Sequence, residues 1–475
     1  MTRPCDVARW ARRATLAGVG AAALAAAGCA GLPSAVVAEP APAPPPLPAA
    51  WQAALPHEGQ LIELSRWWAG FDDPLLAALV DAAQAASPTV AEAASRIEQA
   101  RAARVGAGAA LLPSLDATAS ASRGRADLAL PTGSALNAGL QAAWELDLFG
   151  ARRSGLAAAD ARFDAAGAGW HAARVSVAAE VGSNYASLRA CEAQVAQARL
   201  DATSRAQTAR LTQLAADAGF QAPANAALAR ASAAQAHGRL LQQQAACDIG
   251  VKALVALTGS AEPGLRMRLA AATARLPQPA PIQVASVPAR ALAQRPDLLA
   301  AERELLAAGA DTAQARALRY PRITLGGSIG ASRLQSGAGS LDGSVWSIGP
   351  VSVSLPLFDA GMRSANVDAA RARYAAAASA YAGSLRTAVR EVETALVELQ
   401  GSADRATDAR TAAEGYAASL RATQARYDGG LATLFELEDA RRSAVQAEVA
   451  LIDLSRERLL AWINLYRALG GGWTS

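Results

Sequence analysis

The order of features along residues 87–163 recurs along residues 295–374. Each stretch opens on a proline, Ser87-Pro88 or Arg295-Pro296, and runs through a helical segment to a second proline, Pro113 or Pro321. An alternating segment follows, closing on Trp144-Glu145-Leu146-Asp147-Leu148-Phe149-Gly150 or on Leu355-Pro356-Leu357-Phe358-Asp359-Ala360-Gly361, and then a long Ala-rich helix. Pro88 and Pro296 lie 208 residues apart, as do Pro113 and Pro321, and Phe149 and Phe358 lie 209 apart. A fixed period of this kind marks a duplicated structural unit, so fold and function belong to the pair. This internal tandem repeat divides the sequence into residues 73–260 and 294–475, joined by a connection at 261–293.

The alternating segments read as strands. Leu136, Ala138, Leu140, Ala142, Trp144, Leu146 and Leu148 point one way; Asn137, Gly139, Gln141, Ala143, Glu145 and Asp147 point the other. That is the apolar-out, polar-in pattern of a barrel wall. Residues 115–122 alternate likewise, with a connection at 123–135 that contains Gly, Asp and Pro. In the second repeat residues 323–332 and 345–357 form the matching pair, with Val351, Val353, Leu355 and Leu357 on one face and a Gly- and Ser-rich loop at 335–343. Each repeat thus supplies one hairpin and each chain four strands. A barrel closed by one chain needs about eight strands. An open edge in lipid leaves backbone groups unsatisfied, so several copies must pool their strands. The alternative, a four-stranded soluble sheet, sits poorly with the export signal described below.

Hydrophobic residues make up 52 % of the chain but aromatics only 5 %, so much of the apolar content is alanine, which favours long, closely packed helices. Residues 150–217 and 360–428 contain no proline, and at 1.5 Å per residue each makes a helix roughly 100 Å long. Each runs into a Gly-containing tip, Asp217-Ala218-Gly219-Phe220 or Asp428-Gly429-Gly430-Leu431. A return helix follows, ending at Leu257-Thr258-Gly259 or Leu469-Gly470-Gly471, so the hairpins are antiparallel. Helices at 75–112 and 297–318 precede the strands. The fold class is therefore mostly α with β. Cys191 and Cys247 each lie 28 residues from Gly219, at the same height of the first hairpin. In an oxidising compartment this placement permits a disulfide, which needs Cα atoms within about 7 Å; the alternative is two unpaired thiols facing different ways.

The N-terminus reads as a signal peptide, residues 1–28, with Arg3, Arg9, Arg12 and Arg13 ahead of an apolar run at 14–27. Leu24-Ala25-Ala26-Ala27-Gly28-Cys29 resembles a lipobox, with Ala26 where leucine is common, and makes Cys29 the candidate lipidation site. Ordinary cleavage after Val36-Val37-Ala38 is the alternative. Ala30, rather than aspartate, follows the cysteine and implies sorting to the outer membrane. Residues 29–72 then form a lipid-anchored tether, Pro- and Ala-rich and extended over 33–56. The signal carries +3 of the formal charge of +4, which leaves no basic excess pointing to nucleic acid. Beyond the signal no run of 18 apolar residues exists, so any membrane crossing is by β-strands. His57, His171 and His237 show no metal spacing, and no phosphate loop, nucleophile elbow or Cys-x-x-Cys is present. The sequence supports neither an enzyme nor a cofactor other than covalent lipid.

Several motifs now carry a resemblance. They are Trp67-Trp68-Ala69-Gly70-Phe71-Asp72-Asp73-Pro74-Leu75, Gln294-Arg295-Pro296-Asp297, Ala301-Glu302, the Leu-Pro-Leu-Phe-Asp-Ala-Gly at 355–361, and Tyr466-Arg467-Ala468-Leu469-Gly470-Gly471-Gly472-Trp473. In order and over residues 29–473, the chain resembles the outer membrane factor (outer membrane efflux protein) family, more narrowly the OprM/NodT-type efflux lipoproteins related to TolC. Ser87 departs from the common asparagine. The resemblance implies a homotrimer with a 12-stranded transmembrane β-barrel, four strands per protomer, and a trimeric α-helical periplasmic barrel. It implies docking to a periplasmic adaptor and an inner-membrane pump, usually of the resistance-nodulation-division class, and a conduit for small molecules such as drugs. Leu434-Phe435-Glu436-Leu437-Glu438-Asp439-Ala440-Arg441-Arg442 resembles the family's gate-bearing segment, and Glu436 and Asp439 match its acidic gate residues, with glutamate for the commoner aspartate at one of them. Their spacing of three places both on one helix face, and threefold symmetry would stack them as two carboxylate rings. The plainer reading is a solvated surface with local pairs such as Glu438 with Arg442. Gly219, Phe220, Gly429, Gly430 and Leu431 are candidate adaptor contacts. Two alternatives stand: an exit duct for type I protein secretion or heavy-metal efflux, without Met or His clusters to favour metals, and a lipid-anchored coiled-coil stalk, which would show sustained heptads and no strand pairs.

Overall fold

A computed structural model of the chain describes residues 47–53, 55, 64–125, 132–279, 288–337 and 339–472. The signal segment, Cys29 and Trp473 lie outside the described residues. The described residues divide into two compact units, and these cut across the repeats: those within 103–160 and 306–375 belong to one, and those within 47–102, 161–305 and 376–472 to the other.

The first unit is built on a four-stranded antiparallel sheet in chain order, β1 (Ser114–Gly124), β2 (Gly133–Leu146), β3 (Arg322–Ser336) and β4 (Gly339–Ser354). One hairpin comes from each repeat, and the two join where β2 pairs with β3. The register sets Ala117 opposite Leu140, Leu140 opposite Ile329 and Ile329 opposite Trp346, so the apolar sets of all four strands share one face. Ile329, Trp346, Ile348, Val351 and Val353 are all exposed there. The other face carries a polar row. Asn137 Nδ2 donates to Ser120 Oγ at 3.5 Å, Ser332 Oγ donates to Asn137 Oδ1 at 2.7 Å, and the Ser328 and Ser347 hydroxyls meet at 2.9 Å.

Alternation in β4 slips, because Trp346 and Ile348 are two apart whereas Val351 comes three later. The register shift between Leu325 and Gly327 absorbs that slip as a β-bulge at Gly349-Pro350, returning Val351 and Val353 to the face of Ile348. Pro350 has no N–H to give, and β4 is an outer strand that can spare one. The loop expected at 335–343 is a correction: Gln335 pairs with Ser340 and Ser336 with Gly339, so the ladder runs through most of it. Small side chains read as loop, yet they leave backbone pairing unobstructed, and Gly339 turns the chain at φ 128°. The outer edges of β1 and β4 have no partner strand among the described residues.

Helices carry the rest of the chain: α1 (Pro74–Ala86), α2 (Pro88–Ala109), α3 (Ala151–Asp217), α4 (Pro223–Thr258), α5 (Glu262–Ala270), α6 (Pro288–Leu292), α7 (Pro296–Ala317), α8 (Met362–Asp428) and α9 (Leu434–Ala468). α3 and α8 each span 67 residues, about 100 Å at 1.5 Å per residue. The single helix expected at 75–112 is instead α1 and α2. Ser87 is extended at ψ 122°, since the residue before a proline is pushed out of the helical region. None of the described helices is long and apolar enough to cross a membrane.

The second unit's core gathers Trp67, Trp68 and Phe71 around Tyr466, with the Trp67 and Tyr466 rings stacked at 4.8 Å. Trp51 is buried in the same cluster, and the N–H groups of Gln52 and Ala53 donate to the Glu393 carboxylate at 2.6 and 2.8 Å. The expected tether at 29–72 is instead core at Trp51, Trp67, Trp68 and Phe71, because large aromatic rings gain much by leaving water. The 261–293 connection is also partly core, since α5 buries Leu265 and Leu269.

Charge inside this core is held in hydrogen-bonded clusters, although the buried Arg189 Nε has no partner among the described residues. Arg189 is 0 % exposed; it donates to the Tyr185 hydroxyl at 2.9 Å, to Glu192 at 2.8 Å and to the Leu269 carbonyl at 3.0 Å. The Tyr185 hydroxyl donates in turn to Asp73, whose carboxylate also caps α1 through the Leu75 N–H at 3.1 Å. Burial, with the Asp73 bond, pushes the Tyr185 phenol well above its ordinary pKa. Arg295 donates to Glu391 and to the Ala468 carbonyl, both at 2.8 Å, and to Asp297. Gly470, at φ 88°, lies so close that a Cβ there would come within 2.7 Å of the Gln294 carbonyl oxygen. The Gln-Arg-Pro-Asp and Leu-Gly-Gly motifs are therefore contact partners. Replacing Arg189 with alanine should lower unfolding free energy by about 3–5 kcal/mol, since it strands Glu192 and the Tyr185–Asp73 pair; urea titration of the helical circular dichroism signal measures this.

Candidate functional site at the hairpin tips

The two tips are built alike. At the α3–α4 tip Gly219 has φ 81°, its N–H donates to the Ala216 carbonyl at 3.0 Å, and the Phe220 N–H donates to the Ala215 carbonyl at 2.8 Å. At the α8–α9 tip Gly430 has φ 74°, its N–H donates to Tyr427 at 3.0 Å, and the Leu431 N–H donates to Arg426 at 2.7 Å. Both are Schellman caps, with glycine in the left-handed position and an apolar residue next. That residue stays in solvent: Phe220 is 85 % exposed and Leu431 74 %. Gly429 precedes the left-handed residue and only continues α8, donating to the Ala425 carbonyl at 3.1 Å.

Glu436 and Asp439 lie just beyond, on the first turns of α9. Thr433 is the N-cap: its hydroxyl accepts the Glu436 N–H at 3.2 Å while its own N–H donates to the Glu436 carboxylate at 2.6 Å, a complete capping box. Those Thr433 bonds, with some help from the Arg426 guanidinium 3.7 Å away, hold the Glu436 carboxyl below its ordinary pKa. Asp439 pairs with Arg442, and both side chains are exposed.

Glu438 does not pair with Arg442. Leu434, Leu437 and Arg441 are the buried face of α9, and a helical spacing of three and four places Glu438 on that face and Glu436 and Asp439 off it. Glu438 accepts from Arg205 of α3, from the Ser232 hydroxyl of α4 at 2.6 Å and from Arg441 at 3.1 Å. Arg205 also donates to Asp201 at 2.8 Å and Ser232 at 2.7 Å, and Arg441 to Thr208 at 2.9 Å and to Gln424 of α8 at 2.7 Å. Arg205, Arg441, Asp201 and Glu438, with Arg239 of α4 at 3.6 Å from Asp201, thus tie all four hairpin helices together. Burial pulls the Arg441 pKa down against the opposing pull of Glu438. The Thr212 and Tyr427 hydroxyls meet at 3.2 Å, and Ala209, Ala229 and Leu434 pack beside them. Sequence reading passed over Asp201 and Arg205. Their spacing of four was the available signal, but on an isolated helix it is indistinguishable from a surface pair.

In the same hairpin Cys191 and Cys247 form a disulfide with Cα atoms 5.6 Å apart. His171 packs edge-on against Trp170, and burial, then Arg174, lowers its pKa. Among the described residues no three His, Cys, Asp or Glu side chains gather as a metal site.

The family model for outer membrane efflux proteins matches residues 79–260 and 287–471, one match in each repeat. The chain belongs to the outer membrane efflux protein family. Outer membrane protein OprJ of Pseudomonas aeruginosa is 33 % identical over 450 residues, which cover 90 % of this chain and 91 % of OprJ. The solvent efflux pump outer membrane protein SrpC of Pseudomonas putida is 31 % identical over 421 residues, 85 % of this chain and 87 % of SrpC. The solved outer-membrane channel OprN matches with a TM-score of 0.81 at 29 % identity, covering 90 % of this chain and 98 % of OprN. This family member is thus an outer membrane efflux channel, mostly helical with a small antiparallel sheet; neither a protein-secretion duct nor a stalk is favoured.

Glu436 has a lowered folded pKa, so its cap contribution is fully present above the unfolded glutamate value of 4.5 and is lost as pH falls through the lower folded value. Corrected hydrogen-exchange protection at the start of α9 should fall in that acid range, and Glu436→Gln should flatten the dependence. Cys247→Ser should lower unfolding free energy by about 3 kcal/mol and abolish the response to reductant that the parent protein shows in the same denaturant titration.

Proposed function

We propose that three copies of this chain pool their strands into one 12-stranded barrel in the outer membrane and their helices into a periplasmic duct. The unpaired outer edges of β1 and β4, on a sheet with one apolar face, carry this reading. In hydrocarbon those edges need partners, and β4 of one copy beside β1 of the next supplies them without any change within the chain. Lipid on Cys29 adds an anchor in the outer membrane.

Energy for export belongs to an inner-membrane pump, in our reading of the resistance-nodulation-division class, reached through a periplasmic adaptor. Phe220 and Leu431 suit that docking: two apolar side chains held in solvent at equivalent points of the two repeats. The cargo is small organic molecules, including drugs, and SrpC, a solvent efflux pump component, supports this class. The resting duct is closed. The charged cluster around Glu438 holds the second hairpin against the first, and threefold symmetry converts Asp439 into an exposed acidic ring. Glu436 adds its charge to the same end while it serves its cap.

The purified protein should run as a trimer and show small, cation-selective unitary currents in planar bilayers. Asp439→Ala/Glu436→Ala should raise the conductance. An unchanged conductance would remove the acidic ring from the reading, and a monomer without currents would remove the pooled barrel.

A further inference from the structure

The first unit holds a groove of about 450 Å³ lined by α7, α8 and the first residue of β3. Its apolar lining includes Leu318 and Met362, the latter 57 % exposed. Arg322, Arg363, Arg373 and the Asn366 amide stand around it. Arg363 is engaged with Asp359 at 3.0 Å and with the Leu318 carbonyl at 3.1 Å. Arg322 and Arg373 make no ion pair or side-chain hydrogen bond among the described residues. Asp311, the one acid of the lining, is itself engaged. Two guanidiniums that line the same groove as Leu318 and Met362 therefore define a positively charged, amphipathic concavity.

Its facing follows from strand alternation. Ile323 pairs with Leu146 and Val353 on the apolar face, so Arg322 belongs to the polar face with Thr324 and Ser328. We propose that this groove binds an anionic amphiphile in transit through the duct, its phosphate, sulfonate or carboxylate on Arg322 and Arg373 and its alkyl or aryl portion on Leu318 and Met362. The inference deepens the pooled-barrel reading, on which it rests for turning the polar face inward. Paired guanidiniums suit a two-oxygen anion, and an unbranched thioether adapts to apolar groups of varied shape. The class selected is distinct from that of the acidic ring, which favours cations.

The full protein in phosphatidylcholine nanodiscs is titrated calorimetrically with octyl phosphate. Saturable binding is expected, weakened at least tenfold in Arg322→Gln/Arg373→Gln and unchanged in Arg319→Gln, a neighbour outside the groove. Inorganic phosphate should bind at least tenfold more weakly, and octyl glucoside should not saturate. Equal binding by the double variant, or by octyl glucoside, overturns the site. Equal binding by inorganic phosphate overturns the role of Leu318 and Met362. Phosphatidylglycerol nanodiscs separate the sources: unchanged binding supports a ligand within the duct, whereas loss of binding reassigns the groove to a lipid headgroup and overturns the proposal. Bilayer currents of the same proteins keep the two readings apart. A conducting trimer without octyl phosphate binding sinks only this site, and a protein that neither conducts nor trimerises sinks the pooled barrel beneath it.

Discussion

Hydrocarbon offers no partner to a backbone N–H or carbonyl, and each one left bare there costs several kcal/mol. A sheet with an exposed apolar face and two outer edges that have no partner strand among the described residues therefore needs partners from beyond itself. Much else follows from that incompleteness. Duplication supplies two hairpins that meet between β2 and β3, leaving only the first and last strands to be completed. In the trimer we propose, four strands per copy would close a barrel of twelve. Long helices can line such a duct because neighbouring helices, rather than a thick core, cover their flanks.

Alanine makes those helices close-packing but also smooth. Side chains this short interlock weakly, and one smooth helix can shift along another with little change in contact. The buried ion clusters oppose that freedom. Around Glu438, four charged groups from α3 and α9 meet with hydrogen bonds from α4 and α8, an arrangement satisfied at one register. Around Arg189, the same logic ties α3 to the start of α1 and the end of α5. Such clusters add little net stability against a well-packed apolar alternative, but any displacement leaves charge buried and unpaired.

What could be read from the sequence was whatever repeats at short range. Strand alternation placed the four strands in order but made the second pair too short at its turn, and proline-free helices with the glycines after Asp217 and Asp428 placed the two long hairpins and both tips within a few residues. Equal separations from Gly219 placed Cys191 and Cys247 at one height. Features decided by a neighbour were harder to read. The break at Ser87-Pro88 was visible as a proline but not as the end of a helix. Trp67 and Trp68 looked like part of a tether because their partner, Tyr466, is almost four hundred residues away. Glu438 and Glu436 differ by two positions in one acidic stretch, and only the packing of α9 turns the first inward and leaves the second as a cap.

The bulge at Gly349-Pro350 gives β4 a parity. Residues on either side of it hold opposite phase in the sequence and the same phase in space. Length changes in this strand are therefore not equivalent: loss of a single residue at the bulge would restore plain alternation and keep Val351 and Val353 on the apolar face, while loss of a single residue elsewhere in the strand would turn the residues beyond it to the other face. Hairpins of this kind can drift in length by pairs but not by ones, except where a bulge comes or goes with the odd residue.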